Sequence, residues 1–162
     1  MPGFNQHFLS KESGVIKHFA YLNQTKKEVT MQKSNDFYDV MICQHNILLI
    51  EDDARIGSWI SQKLNKLDNI GSLKWTSTLA ESLEALDSQM PDVVILDLKL
   101  PDGNGTDVLK KIRNENLPVK VLVFSMNAGM KSVCRRLGAY RFFDKASDGE
   151  ELIKYLSDFC GE

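Results

Sequence analysis

From Asn46 to the C-terminus, short apolar runs alternate with amphipathic stretches, and this alternation restricts the chain to a parallel sheet covered by helices. The runs are Asn46 to Ile50, Ile70 to Trp75, Val93 to Leu96, Val119 to Phe124 and about Tyr140 to Phe143. Between and after them, apolar residues recur at helical spacing: Ile56, Ile60, Leu64 and Leu67; Leu79, Leu83, Leu86 and Met90; Val108, Leu109 and Ile112; Met130, Val133, Cys134 and Leu137; and Leu152, Leu156 and Phe159. Local signals mark the helix ends. Thr78 with Glu81 and Ser147 with Glu150 read as capping boxes, Thr106 as an N-cap, Gly138 as a stop, and Pro91 lies just beyond the second helix. Right-handed crossovers then leave few topologies. The expectation is an α/β, doubly wound, flavodoxin-like sheet of five parallel strands in the order 2-1-3-4-5 with helices on both faces.

Residues 1–45 read differently. They are polar and mixed, and only Val15, Ile16, Phe19, Ala20 and Leu22 are spaced to share a helix face, so this N-terminal extension is expected to be weakly helical or disordered. Docking on the domain, dimerisation, or an upstream start to a shorter protein beginning at Met31 or Met41 all stay open for it. The organised domain is expected over 46–162, with no output domain after Glu162.

At a net charge of -2 the chain lacks the basic balance that nucleic acid or anionic membrane attracts, so direct DNA binding is not expected. Cys43, Cys134 and Cys160 form no CxxC or Cys/His cluster, which fits reduced thiols. Without a basic start leading into an apolar core, and without an apolar run of membrane length, the reading is a soluble cytoplasmic protein.

Chemistry concentrates where the runs end. Glu51 and Asp52 follow the first strand and Asp97 the third, and carboxylates on neighbouring strand ends repel one another unless a cation justifies them. Ser125 closes the fourth strand, and Lys145 follows the fifth in the same register. Asp53 is adjacent but reads as the cap of the first helix. His7, His18 and His45 lie in or at the end of the extension and read as solvent-facing.

Four stretches in order, ILLIEDD (Ile47 to Asp53), VVILDLKLPDGNG (Val93 to Gly105), VLVFS (Val121 to Ser125) and GAYRFFDKASD (Gly138 to Asp148), resemble the receiver domain of two-component response regulators, the CheY-like family. The resemblance implies that Asp97 accepts a phosphoryl group from a sensor histidine kinase or histidine phosphotransferase with Mg²⁺ bound beside it. It implies that Asp52 and Asp97 coordinate the ion directly, that Glu51 acts mostly through water, and that the main-chain carbonyl of Lys99 adds a ligand. Hard oxygens of this kind suit Mg²⁺. Lys145 and Ser125 would contact phosphoryl oxygens. Ser125 and Phe142 would form the switch, altering the face of the fourth helix, fifth strand and fifth helix toward an unidentified downstream protein, and a homodimer is compatible with this. The chain would catalyse only its own phosphoryl acceptance and hydrolysis.

Departures from the family pattern are visible. Ala146 stands where many relatives have a cis proline, which predicts a trans bond. Met126 replaces a small residue and could obstruct phosphodonors or slow hydrolysis, the stretch from Ser125 to Gly138 predicts a short or shifted fourth helix, and Phe142 lacks a tyrosine hydroxyl. Two other functions compete. A phosphohydrolase of the haloacid-dehalogenase type also uses an aspartate after a strand, but it requires a second acid two residues on, where this chain has Lys99. A degenerate receiver would keep the fold as an interaction module without phosphorylation.

Overall fold

The computed structural model describes residues 44–159. The weak helix expected at Val15 to Leu22, Cys43 and Cys160, His7 and His18, and the alternative starts at Met31 and Met41 lie outside the described residues.

Five strands form one parallel sheet: β1 (His45–Ile50), β2 (Ile70–Thr76), β3 (Val93–Leu96), β4 (Lys120–Ser125) and β5 (Arg141–Asp144), in the order β2-β1-β3-β4-β5. Helices α1 (Ala54–Leu64), α2 (Leu79–Ser88), α3 (Thr106–Asn114), α4 (Lys131–Arg136) and α5 (Gly149–Ser157) follow the strands in turn. The doubly wound topology expected from the alternation is present, and β1, β3 and β4 lie inside the sheet.

Because side chains alternate along a strand, each inner strand feeds two cores. Leu48, Ile50, Val94, Leu96, Val121 and Val123 face α2, α3 and α4, meeting Leu86, Leu109 and Cys134. Ile47, Leu49, Val93, Ile95, Leu122 and Phe124 face α1 and α5, meeting Ile60, Leu64, Leu152 and Leu156. Each fully buried aliphatic side chain contributes roughly 2 kcal/mol. These two layers fix where the strand ends emerge.

Several helix ends differ from expectation. Gly105, not Thr106, occupies the N-cap of α3, and Asn104 Oδ1 accepts from the Thr106 amide at 2.9 Å. Gly105 is required there because a Cβ would overlap the Asp97 carbonyl. The box expected from Ser147 and Glu150 does not form. Asp148 is the N-cap of α5 without a side-chain cap bond, because its carboxylate turns back to accept from the Asp144 amide at 2.9 Å. Thr78 does cap α2, accepting from Glu81 N, while the Glu81 carboxylate reaches Ser77 rather than Thr78. The fourth helix is short, as its compact connection predicts: six residues, entered through a 3-10 turn at Ala128–Met130 and ended by Gly138 at a φ of 100°. Its stripe is shallower than expected, with Cys134 buried and Val133 only half-buried. Phe159 lies beyond the end of α5, and Ile153 joins the core in addition to Leu152 and Leu156. No cis peptide occurs among the described residues, so Lys145 and Ala146 are joined in trans.

Candidate functional site

The site is assembled from residues at, or one step beyond, the ends of neighbouring strands. Ile50 pairs with Leu96 across β1 and β3, so Glu51 and Asp97 emerge side by side, and the Asp97 amide donates to the Ile50 carbonyl at 2.9 Å. Ser125 pairs with Asp144 across β4 and β5, and the next amide, that of Lys145, donates to the Ser125 carbonyl at 3.3 Å. Four functional groups thereby converge on the carboxyl edge of the sheet, the side on which doubly wound folds bind ligands.

Lys145 Nζ lies 2.7 Å from Glu51 Oε2 and 2.6 Å from Asp97 Oδ2. Glu51 is 1% exposed and Asp97 6% exposed, so these charges meet at short range in a site of low solvent access. Burial is the largest influence on Glu51 and raises its pKa, which the hydrogen bond and charge of Lys145 only partly counter. Burial works to lower the Lys145 pKa, but its hydrogen bonds to Asp97 and Glu51 outweigh that and hold it above the ordinary lysine value. Lys145 therefore stays an ammonium.

Asp52 is exposed, and it completes a set of three carboxylates, Glu51, Asp52 and Asp97, whose potential ligand oxygens all lie within 4.8 Å of one another. An all-oxygen set with an open, solvent-facing side fits a small hard divalent cation that retains water. Asp53 stands apart from it. Its carboxylate caps α1 through the Arg55 and Ile56 amides and pairs with the Arg55 guanidinium, which holds its pKa down to about 2. The cap reading of Asp53 therefore holds.

On the other side of Asp97 lies an open cleft of about 530 Å³, lined by Lys99, Asn104, Ser125, Met126 and Met130 among others. Ser125 is 2% exposed, and its Oγ is 3.5 Å from the Asn127 amide that donates to it. The Lys99 amide donates to Asp97 Oδ1 at 3.3 Å, and its residue is exposed. Met126, 67% exposed, stands at the cleft wall rather than inside the core. Phe142 is placed differently from the other predicted residues. It pairs with Val123, two positions short of Ser125, and packs half-buried against the core cluster that includes α4 Cys134.

Two supports of the site escaped sequence reasoning. Asp102 accepts from the Leu79 and Ala80 amides at 2.6 and 2.9 Å, tying the loop after β3 to the first turn of α2 and lowering its own pKa. Trp75 Nε1 donates to the Glu51 carbonyl at 2.8 Å. A glycine inside a helical pattern, Gly57, is the signal that could have found the second contact, because such a residue usually has a packing reason.

The description "Response regulator receiver domain" matches residues 47–157. The nitrate/nitrite response regulator protein NarL of Escherichia coli is 30% identical over 112 residues, spanning 68% of this chain and 52% of that protein. The transcriptional regulatory protein MalR of Bacillus subtilis is 28% identical over 116 residues, spanning 70% and 49%. The chain thus spans about half the length of these curated relatives. Among solved structures, the signal receiver domain of a LuxO repressor protein from Vibrio parahaemolyticus superposes with a TM-score of 0.64 at 23% identity, covering 70% of this chain and 88% of that one. The response regulator DrrB of Thermotoga maritima gives 0.61 at 25% identity, covering 72% and 52%.

Proposed function

The chain belongs to the response regulator receiver domain family, a family of signalling domains, and from that membership we propose that residues 46–162 act as a phosphorylation-dependent switch with Asp97 as the phosphoryl acceptor. The observation that supports this reading most is the juxtaposition at the rim: a lysine within 2.7 Å of two acidic side chains, a third carboxylate nearby, and an open cleft beside Asp97 and Ser125.

The chemistry follows from this set of groups. The Asp97 carboxylate attacks the phosphorus of a phosphohistidine; the new O–P bond forms as the P–N bond breaks, and the imidazole leaves with a proton taken from water. Catalysis of such a transfer is mostly positioning and charge neutralisation, so no separate general base is needed. Lys145 holds the Asp97 carboxylate in place before transfer and then offers its ammonium to a phosphoryl oxygen as a compact point charge. Ser125 offers its hydroxyl to a second oxygen from the cleft side. Glu51, Asp52, Asp97 and the Lys99 carbonyl are the groups that would hold Mg²⁺, which supplies positive charge against the developing phosphoryl negative charge. The donor is a sensor histidine kinase or a histidine phosphotransferase. Displacement of Ser125 toward the phosphoryl group, with Phe142 following, changes the surface of α4, β5 and α5 toward a downstream protein.

Incubation with acetyl phosphate and Mg²⁺ followed by intact mass tests this. The expected result is the mass of one phosphoryl group, absent from Asp97→Asn. Failure to gain it from acetyl phosphate or from phosphorylated kinase favours the degenerate receiver, and sustained turnover of a small phosphate ester favours a phosphohydrolase.

A further inference from the structure

Both main-chain polar groups of Glu51 are tied to the end of the edge strand β2. Its amide donates to the Thr76 carbonyl at 3.0 Å, and its carbonyl accepts from the Trp75 indole at 2.8 Å. The second bond is unusual in origin, since it comes from a side chain on the neighbouring strand rather than from the sheet ladder. Trp75 pairs with Leu49 in the β1–β2 register, and from there its ring reaches over the start of α1. It fits only because position 57 has no side chain: a Cβ at Gly57 would overlap three atoms of the indole. Gly57 is buried in the first turns of α1, and its amide donates to the Asp53 carbonyl at 2.9 Å. A glycine in a helix interior costs about 1 kcal/mol relative to alanine, so a compensating contact is expected, and the indole supplies one.

The loop between these anchors is Glu51-Asp52-Asp53. Asp53 fixes its far end by capping α1, and Glu51 Oε1 accepts from the Asp53 amide at 3.2 Å across the turn. Asp52, the exposed carboxylate between them, has no hydrogen-bond or ion-pair partner of its own described that would orient it. Its direction is therefore set by the two peptide groups that flank it, and the first of these carries the carbonyl bonded to Trp75.

We propose that Trp75, seated in the notch at Gly57, is a positioning residue that latches the peptide after Glu51 and so presents Asp52 to a divalent cation, and that its indole senses occupancy of that acidic cluster. The inference rests on the reading of Glu51, Asp52 and Asp97 as a Mg²⁺ site. It adds a residue outside the strand-end motifs, 40% exposed and on an edge strand, to the groups that determine cation affinity.

Binding of Mg²⁺ alone, without phosphodonor, tests it. Trp59 is replaced by Phe so that Trp75 is the sole described fluorophore of its kind, and MgCl₂ is titrated while indole emission and calorimetric heat are recorded. Emission from Trp75 should change saturably, and Asp52→Asn should abolish the change. Trp75→Phe removes the N–H together with the part of the indole that fills the notch; losing one hydrogen bond of ordinary net strength should raise the Mg²⁺ dissociation constant roughly fivefold in a variant that still unfolds cooperatively in urea. Gly57→Ala, which displaces the ring while leaving the indole in the chain, should weaken Mg²⁺ binding in the same direction and cancel the emission change. Calorimetry that detects no Mg²⁺ binding by the parent protein overturns the metal reading and the latch with it. Parent binding with unaltered affinity in both Trp75→Phe and Gly57→Ala overturns the latch alone.

Discussion

Lys145 Nζ sits 2.6 Å from Asp97 Oδ2, and both side chains are more than nine-tenths closed to solvent. The same ammonium is 2.7 Å from Glu51, so one positive charge serves two buried carboxylates. Such an arrangement is tolerable only while the cation is present, and a second cation on the Asp52 side would relieve it further.

Replacing Lys145 by Met leaves Glu51 and Asp97 facing each other without a counter-charge. Stability at neutral pH should fall by about 3 kcal/mol, and part of that loss should return at lower pH as one of the acids takes up a proton. Urea unfolding at pH 7 and pH 5 measures both effects. A variant equally stable to the parent at pH 7 would contradict the shared-cation picture.

Glu51 gives the opposite pH dependence from an ordinary surface acid. Its folded pKa is raised above the ordinary value of 4.5, chiefly by burial, so between 4.5 and that raised value the native state binds more protons than the unfolded chain. Its contribution to stability is therefore complete below about pH 4.5 and declines as pH rises through the folded value. Relative to Glu51→Gln, the parent should lose stability steadily over that interval. Denaturation curves of the two proteins collected from pH 4 to pH 8 should diverge in this direction; parallel curves would contradict the raised pKa.

Addition of Mg²⁺ should raise the melting temperature through linkage. At tenfold excess over the dissociation constant the gain is about 1.4 kcal/mol, which corresponds to a shift of a few degrees for a domain of this size. EDTA should reverse it, and Asp52→Asn should remove it without lowering the metal-free melting point. Differential scanning calorimetry on the parent and variant provides the comparison.

Two glycines separate backbone strain from damage to the site. A methyl group at Gly105 would overlap the Asp97 main chain, so Gly105→Ala should cost about 2 kcal/mol and slow acetyl phosphate labelling of Asp97. At Gly138 the φ of 100° penalises any side chain, but no atom lies within 4 Å of a Cβ there. Gly138→Ala should cost about 1 kcal/mol and leave the labelling rate unchanged. Equal labelling rates in both variants would sever the link between Gly105 and the position of Asp97.

Much of this architecture was legible because it rests on periodicity. The apolar runs ending at Glu51, Asp97 and Ser125 mark inner strands that must be buried on both faces, and their continuous hydrophobicity gives both their existence and their rim residues. The convergence of Lys145 with them follows from the parallel register, in which equivalent strand ends share one edge. Helix starts were less legible, because capping side chains have competing partners. Thr106 was displaced from the cap by Gly105, whose selection depends on a contact with Asp97 eight residues earlier. Asp148 bonds Asp144 instead of closing α5. The Trp75 and Asp102 contacts were hidden because they join residues 24 and 22 or more positions from their partners, and no local spacing records such a pairing.

Glu51, Asp97, Ser125 and Lys145 each hang on a last rung of the sheet or one residue past it, and this has a consequence for how the protein tolerates insertions and deletions. Side chains alternate between the faces of a strand, so removing a single residue between Arg141 and Asp144 while Arg141 keeps its pairing with Leu122 would turn over the side chains that follow and carry the ammonium of Lys145 away from Asp97. The inner strands β1, β3 and β4 would keep their ladders through such a change. A one-residue deletion inside this edge strand is thus a route by which a descendant sequence could retain a stable sheet and lose the proposed acceptor chemistry in one step.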